Sequence, residues 1–464
     1  MDSKQVPTDD GEVRHQLRSL GEPITIFGEG PFQRRTRLIL VLENRANTNF
    51  DFAYIEEGNN DDENYVDDDE DDDDDEYYTP GPPELLETRK KILHYSLERA
   101  SIRTTNLRQA FKSQDFIKQL KHRRHINNQL KTYGLYGSQV IQGNTRALSS
   151  VRISPDNTKI ATGSWDGTLY VLNPEDLLTT YTSGPGHHSE KVSGIDWKDN
   201  DTIVSGGNEG TINIWKCEPN NKKLTVITSI PQAHESRITK TLFHPSGDNV
   251  ISTSFDQTWK MWDVNRRIDT CLVQQEGHSR EVMCGAFHPD GSLFVSGGLD
   301  SIARIWDLRS GRSIGILDGH IKGVYSTDWS PNGYQVATGG GDGNIKIWDI
   351  RRLAQSNKEL YLIPGHTKIV SDVRFYHRTG DDLLSSPVTN EDGENPETLD
   401  STGTFLVSSS FTGDVKVWSS DSWTNVKSLK GNHDKVMSCD VSSNGQMIVS
   451  SGWDRTVRMW KACI

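Results

Sequence analysis

SPNGYQVATGGGDGNIKIWD, residues 330–349, is the stretch whose reading decides the fold. It runs as a strand, a Gly/Asp turn, a second strand and a closing Trp348-Asp349. Close copies recur upstream: HPDGSLFVSGGLDSIARIWD at 288–307, HPSGDNVISTSFDQTWKMWD at 244–263 and SPDNTKIATGSWDGTLYVLN at 154–173. Three further units close at Trp215, Trp418 and Trp460.

The seven closing positions are Leu172, Trp215, Trp262, Trp306, Trp348, Trp418 and Trp460, spaced by 43, 47, 44, 42, 70 and 42 residues. A period in the low forties with four short strands per unit is the signature of a WD-repeat propeller. The expected fold is therefore mainly β: a seven-bladed WD40 β-propeller over 134–464, with an N-terminal α-helical extension. The spacing of 70 holds an insertion at about 376–403, expected as a disordered loop between the first two strands of blade six. Four residues follow Trp460, too few for an outer strand in blade seven. YGSQVIQGN at 136–144 resembles the outer strand RSIGILDGH at 312–320 and should complete that blade, closing the ring and removing its exposed edges.

Inside the repeat a His, a Ser or Thr, an Asp and the Trp recur at fixed offsets. In one blade they are His278, Ser296, Asp300 and Trp306. The set looks like a catalytic triad, but it returns in blade after blade, as no active site would. In WD-repeat proteins such a set is a buried hydrogen-bond chain, so these residues are expected to be structural. Gly-His or a variant precedes most repeats, at Ala233-His234, Gly277-His278, Gly319-His320, Gly365-His366 and Asn432-His433. Leu172 and Asn144 depart from the pattern in blade one, Glu209 in blade two and Thr412 in blade six, which predicts looser ties there.

Two sets of positions converge on one propeller face. Lys191, Arg237, Arg280, Lys322, Lys368 and Lys435 follow shortly after the His positions. Trp165, Phe255, Leu299, Phe411 and Trp453 precede the turn residue. Ring order puts Phe411, Trp453 and Trp165 on consecutive blades, so an exposed aromatic patch with cationic neighbours is expected. Such a patch suits a protein anchor or stacking on an unpaired base. Partner binding is accordingly assigned to Trp165, Phe411, Trp453, Phe255, Lys322, Lys368 and Lys435.

The region ahead of the propeller divides into 1–46, 47–83 and 84–133. Residues 8–20 should be helical, with Thr8 as N-cap, and Pro31 should start a second helix through Leu42. Residues 47–83 read as an acidic, Pro-ended disordered linker. Of the net charge of −14, 13 acids lie between 61 and 76, so the rest is nearly neutral. Residues 84–133 contain no Gly or Pro before Gly134 and read as one long helix or two, breaking near Thr104-Thr105 or Ser113. Leu86, Leu93, Ala100 and Leu107 repeat every seven residues. Between 84 and 131, 12 Lys/Arg face four acids. This excess suits phosphate contact along an RNA backbone, carried by Arg89, Lys90, Lys91, Arg99, Arg103, Arg108, Lys118, Lys121, Arg123 and Arg124. The five scattered cysteines form no CxxC pair, so neither a zinc site nor a disulfide framework is expected. No signal peptide and no apolar run of membrane-spanning length is present, which predicts a soluble intracellular protein. There is no GxxxxGK[ST] loop, and no cofactor, small-molecule substrate or membrane is expected.

LGEPITIFGEGP, within 9–38, resembles the splicing-factor motif near the N-terminus of some pre-mRNA processing factors. Joined to the acidic linker, TPGPPELLETRKKILHYSLERA at 79–100 and the seven repeats, it makes nearly the whole chain similar to the WD-repeat subunit of the spliceosomal U4/U6 small nuclear ribonucleoprotein. The resemblance implies a nuclear, non-enzymatic scaffold. Its partners would be the paired U4/U6 snRNA, a companion U4/U6 pre-mRNA processing factor and other di-snRNP and tri-snRNP proteins. It would support formation of the U4/U6.U5 tri-snRNP. Two other classes stay open from the residues alone: a WD-repeat adaptor without RNA contact, such as a ubiquitin-ligase substrate receptor, and an enzyme with a pocket in the propeller channel.

Overall fold

A computed structural model describes residues 7, 9–20, 22, 24, 31–46, 82–112, 116–184, 186–218, 222–264, 271–353, 358–378 and 402–462. The acidic run at 61–76 and most of the blade-six insertion lie outside the described residues. The chain forms two units, 1–80 and 81–464.

In the first unit, α1 (Asp10–Ser19) and α2 (Pro31–Ala46) pack on each other. Asp9 is the N-cap in place of the expected Thr8, because its carboxylate accepts from the Glu12 N–H at 3.2 Å. Val13, Leu17 and Leu38 form a small buried contact. Arg34 is buried beside it on the Asp10 carboxylate, so part of the basic start of α2 is held within the hairpin.

In the second unit, seven four-stranded antiparallel groups follow one another, two of them joined by a single parallel bridge between Thr182 and Lys223. Each blade runs as a meander of strands a to d, with strand a innermost. Blades one to six occupy 148–182, 192–230, 238–275, 282–318, 324–363 and 370–429. Blade seven takes strands a to c from 436–461, and its outer strand is Gly134–Val140, paired antiparallel with Thr456–Lys461. The ring closes as the likeness of 136–144 to an outer strand implied. The insertion does fall between strands a and b of blade six, Val370–Phe375 and Phe405–Ser410. Strand direction alternates, so a–b and c–d turns emerge on one face of the ring, and b–c turns and d–a links on the other.

The basic segment forms two helices, α3 (Pro83–Lys112) and α4 (Phe116–Lys131). The helix runs through Thr104-Thr105, where both hydroxyls donate back to carbonyls one turn earlier, and residues 113–115, the other expected break, lie outside the described residues. Ile92 is 1% exposed and inserts among Leu242, Ile251, Trp259 and Leu272 of blade three and Phe294 and Trp306 of blade four. Burying one such side chain is worth roughly 1.5–3 kcal/mol.

Candidate interaction surfaces

The repeated His/Ser/Asp/Trp residues form buried chains. In blade four His278 Nδ1 donates to Asp300 at 2.9 Å, Ser296 Oγ meets His278 Nε2 at 2.7 Å, and Trp306 Nε1 donates to Ser296 Oγ at 2.8 Å. An indole can only donate and a carboxylate only accept, which sets the direction of the chain. Blades three and five repeat it through His234, Ser252 and Asp256 and through His320, Thr338 and Asp342. Burial opposes ionisation of Asp256 and Asp342, but the hydrogen bonds each accepts, the one from His first, outweigh it and bring both down to about 2.

The departures separate on inspection. Glu209 reaches His188 Nδ1 with its longer side chain, so blade two is fully tied, against expectation. In blade six Thr412 does not reach: His366 Nε2 meets Ser408 Oγ at 2.8 Å, but the buried His366 Nδ1 and Thr412 Oγ1 have no hydrogen-bond partner. In blade one Asn144 Oδ1 accepts from Ser164 Oγ at 2.8 Å. In blade seven His433 is exposed and is not the tie. Asn432 takes the place instead, joined by Arg458 to Asp454 at 3.0 and 2.9 Å. The offset of 22 residues between His and Asp in blades three to five would have pointed to Asn432.

The channel is lined by strand a and holds a charged network that sequence reading missed. Arg152 of blade one, fully buried, reaches Asp372 of blade six at 3.5 Å and Cys439 O of blade seven at 3.4 Å. Lys240 of blade three approaches Asp372 at 3.7 Å from across the ring. Asp196 and Asp440 each accept a backbone N–H from a neighbouring blade, from Phe243 and Ile153. Burial pushes both carboxyls up to about 6. The geometry is that of a tie between blades. Among the described residues no three His, Cys, Asp or Glu side chains converge as metal ligands.

α3 and α4 lie along the a–b face. Arg103 Nε and Nη2 donate to Asp290 at 3.0 and 2.7 Å, and Nη1 donates to Asn332 O at 2.8 Å. Gly333 in that turn has φ +72°, and a Cβ there would stand 2.6 Å from the Arg103 guanidinium carbon. Tyr95 donates to Pro245 O at 2.8 Å, with Arg99 over its ring at 5.1 Å. Arg89 packs on Gly311. Arg89, Ile92, Ser96, Arg99 and Arg103 therefore form one helical stripe turned to the propeller. Of the ten expected phosphate contacts, Arg89 and Arg103 meet the propeller directly, and Arg99 packs on Tyr95, which does. Arg123 pairs with Asp421 at 3.1 Å. Lys90, Lys91, Arg108, Lys121 and Arg124 are exposed. Lys118 lies on α4, with its side chain outside the described residues. The heptad Leu86, Leu93, Ala100 and Leu107 lies beside this stripe, with Leu86 and Leu107 exposed.

On the opposite face Trp165 and Trp453 meet edge to face, with centroids 4.5 Å apart. Lys191 lies over Trp165 at 4.3 Å, and Lys435 sits 5.7 Å from Phe411 and 5.0 Å from Trp453. The structure thus brings Trp165, Phe411, Trp453 and Lys435 together and adds Lys191. Phe255, Lys322 and Lys368 make no ring contact with this group. The patch is narrower than expected: Trp453 is 37% exposed, while Trp165 and Phe411 are half-buried under lysines.

Comparison with known proteins follows the same division. The family described as pre-mRNA processing factor 4 (PRP4) like matches residues 13–40. The WD domain, G-beta repeat, matches 137–173, 176–216, 224–263, 269–307, 311–349 and 423–461, with the first three strands of blade six and its insertion between the last two matches. U4/U6 small nuclear ribonucleoprotein PRP4 of Saccharomyces cerevisiae is 40% identical over 98% of this chain and 91% of its own length. The PRP4-like protein of Arabidopsis thaliana is 34% identical over 46% of this chain and 38% of its own. Human U4/U6 small nuclear ribonucleoprotein Prp4 is 33% identical over 38% and 32%. With the helical motif ahead of a seven-bladed ring and a relative that aligns from end to end, this chain belongs to the PRP4 family of splicing WD-repeat factors of the U4/U6 small nuclear ribonucleoprotein.

Proposed function

We propose that the protein is a nuclear, non-enzymatic scaffold of the U4/U6 particle. It holds the snRNA backbone on its a–b face and partner proteins on the opposite face, and it supports joining to U5 as the tri-snRNP. The observation that carries this reading is the division of cations on α3 and α4. Arg89 and Arg103 meet the ring, and Arg99 lies over Tyr95, which is itself bonded to blade three, while Lys90, Lys91, Lys121 and Arg124 are exposed. Cations held on a rigid, docked helix lose little freedom when they meet phosphates. A companion processing factor is the partner expected at Trp453, Trp165, Phe411 and Lys435, with Phe255, Lys322 and Lys368 further round the same face. An exposed indole beside ammonium groups is the composition of a binding hot spot.

The test is binding of the full chain to a U4/U6 duplex at two salt concentrations. The comparison is a variant with Lys90, Lys91, Lys121 and Arg124 changed to Ala. Weaker binding and a shallower salt dependence in the variant support the reading, with roughly 0.9 of slope lost per phosphate contact removed. Equal affinity and equal slope favour an adaptor that reaches RNA only through another protein.

A further inference from the structure

The end of α3 and the start of α4 carry apolar side chains that the propeller does not use. Phe111 is 77% exposed, Ile117 65%, Leu120 50% and Leu107 37%. Four large apolar groups within 14 residues of chain, on helices otherwise ruled by charge, form a surface that water alone does not favour. The surface is concave where α3 passes the a–b turn of blade five. There Thr104, Leu107, Arg108, Phe111, Lys112 and Tyr334 line a groove.

We propose that this groove seats an amphipathic helix of a partner protein, with its apolar side on Leu107 and Phe111 and its acidic flank over Arg108 and Lys112. Three observations choose this occupant. The spacing of Leu107 and Phe111 is one helical turn, the spacing at which a second helix interdigitates. Arg108 and Lys112 rim the apolar floor, and from Arg99 to Lys131 the sequence has Asp115 as its one acid, so the charge calls for carboxylates. Tyr334 is no platform for a nucleic-acid base, because Arg103 and Arg351 already lie over its ring at 5.2 and 4.8 Å. A phosphate backbone would match the cations but leave Leu107, Phe111, Ile117 and Leu120 in water.

This inference needs membership of the ribonucleoprotein particle but not RNA contact by this chain. The experiment places a benzophenone amino acid at Ile117 of the full chain, assembles the particle, irradiates, and maps the product by mass spectrometry. The expected product is a cross-link to a protein segment with apolar residues at helical spacing and acids between them. Phe111→Glu should lower its yield at least tenfold, and Arg108→Glu with Lys112→Glu at least fivefold, with the melting temperature of the chain unchanged. Affinity for the U4/U6 duplex should also hold in the Phe111→Glu chain, which separates this proposal from the RNA reading. A cross-link to RNA, to the same chain or to a segment without acids overturns it, as does a yield that ignores Phe111→Glu. No cross-link at all overturns it too.

Discussion

Arg103 grips Asp290 with two nitrogens while its third reaches the carbonyl of Asn332 in the next blade. One guanidinium thus links α3 to blades four and five. Asp290 is 3% exposed, so loss of the arginine strands a buried carboxylate. Arg103→Ala should cost about 3 kcal/mol and speed hydrogen exchange in α3 before the ring itself unfolds. Arg103→Lys should rescue little, because an ammonium cannot copy the fork. Urea melts with exchange read by mass spectrometry give both numbers.

Blade six lacks the carboxylate that the other complete chains have. Thr412→Asp supplies a carboxylate whose oxygens reach one bond further from Cβ than the Thr hydroxyl, toward the orphaned His366 Nδ1, and the new hydrogen bond should stabilise the chain by about 1 kcal/mol. The same substitution in a His366→Asn background should give no gain. A double-mutant cycle in urea measures the difference.

Burial, with the nearby Lys416, brings His366 down to about 3; burial brings His244 and His288 down to about 4. These rings are neutral in the native state, and the unfolded chain takes up their protons below about pH 6.5. Their contribution is full above that pH and is lost as pH falls toward 4. Asp196 and Asp440, pushed up to about 6, act in the opposite sense and offset part of the loss. The slope is therefore best read by difference. His366→Asn should flatten stability against pH by up to roughly 1.4 kcal/mol per unit between pH 6 and 4. Urea midpoints at four pH values suffice.

Arg152→Met should be among the most damaging single changes in the ring, at about 3–5 kcal/mol, because Asp372, Asp440 and Asp196 would share a buried space with less countercharge. Adding Asp372→Asn should recover part of the loss. Full recovery by Arg152→Lys would contradict this account, since a lysine cannot bridge Asp372 and the Cys439 carbonyl together.

The ring was legible in the sequence because each blade repeats a local rule: a tight turn, alternating strands and a closing indole. What repeats can be counted. The tie in blade seven needed the offset rather than the letter, and the nearby His433 drew attention from Asn432. The channel network was not legible, because Arg152, Lys240 and Asp372 come from three blades and meet only when the ring closes. The basic helix was legible as charge but not as direction. Leu86, Leu93, Ala100 and Leu107 repeat every seven residues, yet blades four and five offer Asp290 and the Asn332 carbonyl, which suit an arginine better than leucines. The arginine stripe faces the ring instead, and two of the ten expected phosphate contacts, Arg89 and Arg103, serve as anchors.

The outer strand of blade seven has a further consequence, in the order of manufacture. Ser138 meets Arg458 across 320 residues. At roughly 5–20 residues per second, a ribosome needs on the order of 16–64 s to deliver that partner after making the strand. Toward the end of that time six blades and a waiting strand coexist, and the strand's unpaired backbone can capture a neighbouring nascent chain. Newly made protein should thus be most exposed to misassembly in the seconds before the last hairpin emerges, and a chaperone that shields 134–140 would be worth more than one that shields any single blade.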